Sequence, residues 1–135
     1  MVIDDFVVGQ SAELTRTIVE ADVMAFATLT GDFNPVHVDA AAAAASSFGE
    51  RIVHGMLTAS LLSTVLAMQL PGPGAIYLSQ TLQFLRPVKL GDTVTARVEL
   101  TAIDLTTRRL TLATTIRNER GKSGRPYCFR YIFGI

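Results

Sequence analysis

The sequence predicts an α+β domain in which one long apolar helix is wrapped by a curved antiparallel sheet. Three observations predict it. Residues 55–70 carry the longest apolar helical pattern of the chain. After the breaker Pro71-Gly72-Pro73-Gly74, segments of period-two alternation follow one another with turn residues between them. A strand pattern and shorter helices come first, so the order is strand, helices, strands, an α+β layout.

The 135 residues suffice for one domain with a hydrophobic core. Hydrophobic residues make up 49% and charged residues 18%, which excludes intrinsic disorder. Twelve Lys and Arg balance twelve Asp and Glu, so no global basic field attracts nucleic acid or an anionic membrane. The lone cysteine, Cys128, excludes an intrachain disulfide framework and a multi-cysteine zinc site. Met1 to Gln10, with Asp4 and Asp5, lacks the basic-then-apolar pattern of a signal peptide. No apolar run reaches the ~20 residues of a membrane span. The expectation is one soluble, cytoplasmic domain over residues 1–135. Its apolar content points to a homodimer or higher homo-oligomer.

Each element has its own signal. Between Ser11 and Ile18, Ala12, Leu14 and Ile18 alternate with Glu13, Thr15 and Thr17, which predicts a strand. From Glu20, Val23, Phe26, Ala27 and Thr30 fall at helical spacing, and Gly31 is a natural stop. Asp32-Phe33-Asn34-Pro35 then reads as a turn. Asp39 is placed as N-cap of a short helix from Ala40 to Ser47, rich in alanine and closed by Gly49. From Gly55 to Leu70 the apolar residues leave only a narrow polar strip, so this helix is buried. Strands are expected over Ile76 to Phe84, Val94 to Leu100 and Leu110 to Ile116, with turns at Gly91-Asp92 and at Asp104 to Thr107. One sheet curled around one such helix is the hot-dog arrangement.

The densest polar cluster is Asp32, Asn34 and His37, on a Pro-containing loop between two helices. A carboxylate and an imidazole five residues apart converge on one small molecule if the loop bends. Such a pair suits general acid–base work on water. On spacing alone, Asp-x-Asn-Pro is more often an Asx-turn or a helix cap than a catalytic pair. His54 precedes Gly55 at the start of the long helix. Its ring reads as a packing residue, whereas the Gly55 N–H, at the positive end of the helix, suits an oxyanion or thioester carbonyl. No G-x-S-x-G elbow, P-loop or GxGxxG is present.

The run from Phe26 to Asp39, FATLTGDFNPVHVD, resembles the hydratase-2 signature of MaoC-like dehydratases. Arg51-Ile52-Val53-His54-Gly55-Met56-Leu57 and Phe84-Leu85-Arg86-Pro87-Val88-Lys89-Leu90-Gly91-Asp92 resemble two further landmarks of that family, in the same order. The length is most similar to that of short, single-hot-dog (R)-specific enoyl-CoA hydratases of the polyhydroxyalkanoate-precursor type. The resemblance implies reversible syn hydration of a trans-2-enoyl-CoA to a (3R)-3-hydroxyacyl-CoA. Asp32 and His37 match the family's catalytic pair and Gly55 its backbone oxyanion donor; Asn34 is expected to support them by fixing the loop or orienting Asp32. No metal or redox cofactor is implied, because a β-carbon conjugated to a thioester is already electrophilic; coenzyme A is part of the substrate.

For the acyl chain, Met56, Leu57, Ala59, Ser63 and Leu66 on the long helix are candidates, each weighed against a place in the core. For the CoA phosphates, Arg51, Arg86 and Lys89 are candidates, each weighed against an ordinary surface charge. A thioesterase reading calls for a carboxylate on the long helix, and residues 55–70 contain none. A MaoC-type dehydratase of branched or dicarboxylic CoA esters and a non-catalytic acyl-CoA-binding dimer stay open.

Residues 117–130 depart from the family. Arg117, Arg120, Lys122, Arg125 and Arg130 stand against Glu119, five against one, a local +4 that the remaining chain balances with −4. The family's small aliphatic last strand is here Tyr127, Phe129, Tyr131 and Phe133 in alternation. Those rings are expected to narrow the acyl slot, and the basic stretch is either a phosphate-binding rim or a solvated hairpin.

Overall fold

The computed structural model describes residues 2–119 and the backbone of strand 127–134. After a 3-10 turn over Ile3–Asp5 come β1 (Ser11–Thr17), α1 (Glu20–Thr30), α2 (Pro35–Val38), α3 (Ala40–Ala44) and α4 (Gly55–Met68). Four strands complete the chain: β2 (Ile76–Thr81), β3 (Thr93–Asp104), β4 (Arg109–Asn118) and β5 (Tyr127–Gly134). All pairings are antiparallel, and the sheet order is β1-β3-β4-β5-β2. Helix α4 packs on β1, β3 and β4. This is the expected hot-dog arrangement.

Local chemistry sets the boundaries. Gly31 ends α1 at φ 81°, a left-handed conformation that glycine adopts without steric cost. The Asp39 carboxylate accepts from the Ala41 and Ala42 N–H groups at 3.0 and 3.1 Å and opens α3. This helix stops at Ala44, short of the expected Ser47. The Ser46 hydroxyl donates to the Ala43 carbonyl and accepts from the Phe48 N–H, replacing the next turn. In the turn after β3, Asp104 accepts from the Thr107 and Thr106 N–H groups, and Thr107 holds its carboxyl below the usual range. The expected strand to Phe84 ends at Thr81, the last residue of β2 paired with β5.

The core lies between α4 and the inner face of the sheet. Leu62, Val65 and Leu66 of α4 meet Val94, Ala96, Val98 and Leu100 of β3 and Leu110, Leu112 and Ile116 of β4, and each is fully buried. The outward residues of β3 alternate with these, as a sheet with one covered face requires. The basic stretch at Arg120, Lys122 and Arg125 lies outside the described residues, as do the side chains of Tyr127, Phe129, Tyr131 and Phe133.

Truncating Leu62 tests how far this one contact layer determines stability. Leu62→Ala is expected to lower unfolding free energy by about 3 kcal/mol, read by urea denaturation. A loss under about 1 kcal/mol would mean that α4 is not held chiefly by this burial.

Candidate active site

Three segments far apart in sequence meet at the start of α4. The Val53 N–H donates to the Val88 carbonyl at 2.7 Å, and Ile52 and Lys89 form an antiparallel bridge. On the other side, the Ile52 N–H donates to the Val36 carbonyl at 3.2 Å, and the Ile52 carbonyl accepts from His37 Nδ1 at 2.8 Å. Residues 51–54 therefore run between α2 and the 84–90 segment and tie both to the N-terminus of α4.

The loop before α2 is organised from within. Asp32 Oδ1 accepts from the Asn34 N–H at 3.2 Å, an Asx-turn, and Asn34 Oδ1 caps α2 through the Val36 N–H at 3.4 Å. The Asn34 carbonyl then accepts the His37 N–H at 2.8 Å. The turn-forming reading of Asp32 is correct in geometry, yet it engages one carboxylate oxygen only. Asn34 shapes the loop and does not line the pocket.

Asp32, His37 and His54 each offer a donor atom, and these atoms lie within 4.8 Å of one another. The His37 and His54 rings stack with centroids 4.0 Å apart and planes tilted by 32°, and Phe26 sits 4.8 Å from His54. His37 Nδ1 and His54 Nε2 are each engaged with a backbone carbonyl, which leaves one nitrogen on each ring. His54 is 2% exposed and donates Nε2–H to the Asp32 carbonyl at 3.0 Å. In sequence alone its ring reads as a packing residue, and it is buried against Phe26. The signal available was its position next to Gly55, which puts any ring there at the mouth of the helix.

The pocket measures about 530 Å³, within the size range of small-molecule sites. Its walls include Asp32, His37, His54, Gly55, Met56 and Arg86, with Phe26, Phe84, Leu85 and Val88 supplying apolar surface. The first N–H groups of α4 have no acceptor within the helix. Phe84 covers this corner so closely that a Cβ on Gly55 would come within 2.8 Å of its ring.

Other candidates fall elsewhere. Leu66 and Ala59 are core residues; Leu57 packs against the core, and Ser63 is half-buried away from the pocket. The spacing of α4 explains the division between core and pocket: one helix face meets the sheet, and only the first turn reaches the pocket. Lys89 pairs with Glu50 at 3.5 Å. Arg51, expected as a phosphate ligand or a surface charge, is neither. Its side chain is only 13% exposed; Nη1 binds Glu20 at 2.8 Å, and Nε donates to the His37 carbonyl at 2.7 Å. It clamps α2 to α1.

The profile described as "MaoC like domain" matches residues 6–120, the span that holds all three converging segments. The chain belongs to the MaoC-like family. This MaoC-like domain is 52% identical over 114 residues to an (R)-specific enoyl-CoA hydratase of Aeromonas caviae, covering 84% of this chain and 85% of the relative. It is 47% identical over 112 residues to a 3-hydroxybutyryl-CoA dehydratase of Methylorubrum extorquens, covering 83% and 71%. Among solved structures it is similar to the Aeromonas caviae (R)-hydratase involved in PHA biosynthesis, with TM-score 0.90, 45% identity and coverage of 96% and 97%. An R-hydratase of Pseudomonas aeruginosa gives TM-score 0.88 at 45% identity, covering 97% and 83%.

If Arg51 clamps α2, Arg51→Met is expected to speed amide exchange at His37 and Asp39 by at least about tenfold, since charge-assisted hydrogen bonds are worth about 1.5–3 kcal/mol. Exchange unchanged at those amides, measured by mass spectrometry or NMR, would refute the clamp.

Proposed function

We propose that this chain is an (R)-specific enoyl-CoA hydratase. It adds water reversibly to a trans-2-enoyl-CoA and yields the (3R)-3-hydroxyacyl-CoA. The observation that carries the reading is that a carboxylate, a tautomer-fixed imidazole and a helix-start amide line one pocket. The kinship with hydratases and a dehydratase of CoA thioesters supports it.

The ring of His37 is informative. A carbonyl only accepts, so the bond to Ile52 requires the proton on Nδ1, and the neutral ring then has a bare Nε2. Asp32 has a second carboxylate oxygen outside the Asx-turn. Two acceptors hold the two protons of one water, which turns its oxygen lone pair toward C3. As the C3–O bond forms, Asp32 takes a proton and the C2=C3 electrons move through C2 to the thioester oxygen. The Gly55 N–H meets that enolate oxygen at the positive end of α4, where one such donor is worth about 3 kcal/mol of barrier. A proton then returns from the pair to C2 on the face the water occupied, so the addition is syn. Dehydration is the same path reversed. The chemistry calls for no metal or redox group.

In this reading Met56, Phe84, Leu85 and Val88 give the acyl chain an apolar wall, and Arg86, which lines the same pocket, is the candidate cation for the CoA phosphates. By analogy with the Aeromonas enzyme, the product would serve polyhydroxyalkanoate synthesis. The active unit is a homodimer. β2 is an edge strand whose residues are all exposed, including Ile76 at 64% and Leu78 at 49%. Such an edge invites pairing with a second copy. No helix among the described residues is long and apolar enough to cross a membrane.

Following the loss of enoyl absorbance from crotonyl-CoA tests the assignment. Asp32→Asn and His37→Gln should each lower kcat by about a thousandfold, the scale of general acid–base catalysis, with unchanged melting. Either variant near the wild-type rate would sink the mechanism, and release of free thiol would indicate a thioesterase. Gly55→Ala, whose Cβ would come within 2.8 Å of the Phe84 ring, should lose about 100-fold in rate through displaced substrate. For the dimer, Leu78→Lys should shift the species seen by light scattering from dimer to monomer; a wild-type chain already monomeric and fully active refutes it.

A further inference from the structure

His54 lies in the pocket wall with no part in the water addition described above. Its burial and its polarity are at odds. The residue is 2% exposed, and Nδ1 is buried without a hydrogen-bond partner among the described residues. An unsatisfied buried ring nitrogen works against folding, so for packing alone an apolar side chain of similar size would serve better. What an apolar side chain cannot do is make the two contacts that His54 makes together.

The first contact anchors the Asp32 loop. Every other hydrogen bond made by residues 31–34 among the described residues is local, reaching no farther than Ala27 or His37. The bond from His54 Nε2 to the Asp32 carbonyl is the one that ties this loop to another element, the start of α4. The second contact is the stack on His37, at 4.0 Å between centroids, with Phe26 against the same imidazole at 4.8 Å. One buried ring thus touches the backbone of the carboxylate residue and the ring of the imidazole residue.

We propose that His54 is a positioning residue: it fixes Asp32 and His37 relative to each other, so that their basic atoms face one water molecule. The proposal rests on the assignment of Asp32 and His37 as the pair that handles water. His54 itself exchanges no proton with substrate.

Three substitutions separate its two contacts. His54→Leu removes both, His54→Gln retains an N–H at comparable reach, and His54→Phe retains the ring face. With crotonyl-CoA, His54→Leu is expected to lower kcat about 100-fold, the scale of a misplacement near 1 Å. KM should stay within about threefold, because substrate binding is not what is lost. Its melting temperature should equal or exceed that of the wild type. The Gln and Phe variants should each recover part of kcat, with neither reaching the wild-type value. A wild-type kcat in any of the three overturns the proposal, as does a loss confined to KM or one that tracks melting temperature. If His54→Leu does not fold, the Gln and Phe variants decide by the same criterion. Asp32→Asn measured alongside separates the two levels: inactive Asp32→Asn with fully active His54 variants defeats this inference alone, whereas active Asp32→Asn defeats the assignment beneath it.

Discussion

Ile52 has both of its backbone polar groups engaged with α2, and this double attachment is the constraint on which the site depends. Its N–H holds the Val36 carbonyl, and its own carbonyl holds His37 Nδ1. The first bond places the four-residue α2 against the rest of the molecule; the second chooses the tautomer of the ring that α2 carries. Because Val53 next donates to Val88, the same short stretch also fixes the 84–88 wall across the pocket. A helix as short as α2 has little stability of its own. Its orientation comes from Ile52, from the Asn34 cap and from Arg51.

The site is built on a division of labour between buried and exposed groups. Helix α4 is rigid because Leu62, Val65 and Leu66 have no freedom within the sheet. Its first turn therefore presents a stationary amide at Gly55. The carboxylate opposite belongs to an exposed loop, whose internal turns give it shape without giving it a fixed place. A small exposed loop set precisely enough for chemistry needs a contact from the rigid side, and among the described residues that contact comes from the imidazole preceding Gly55.

Much of the fold was legible because single residues punctuate it. Gly31, Asp39 and the Pro71–Gly74 breaker mark ends that follow from backbone chemistry, and the alternation in β3 and β4 reports which face is covered. Asp32, His37 and Gly55 could be singled out because the runs that hold them resemble the landmarks of the MaoC-like family; on spacing alone Asp32 reads as a turn residue, and it does form an Asx-turn. What stayed hidden depends on contacts between distant segments. Arg51 has the composition of a phosphate ligand, and nothing local reveals that Glu20, thirty-one residues earlier, takes its charge. Leu66 and Met56 share one apolar pattern, and only the placement of the sheet decides that one is core and the other lines a pocket. The partners of His54 are hidden for a similar reason: its ring reads as packing at the helix start, and the residues it contacts lie 17 and 22 positions earlier.

The strand order carries a consequence for how the chain acquires its shape. β2 leaves α4 directly, yet its one neighbour in the sheet is β5, more than forty residues later in sequence. β3 and β4 close against each other through a short turn and offer a ready surface for α4. β2 reaches the rest of the sheet only through β5, which pairs in turn with β4. The β3–β4 pairing is local, whereas the β2–β5 and β1–β3 pairings each require a long loop closure. Ile76 and Leu78 stay exposed with β5 in place, so this edge of the sheet is open to association in the folded chain as well as during its synthesis.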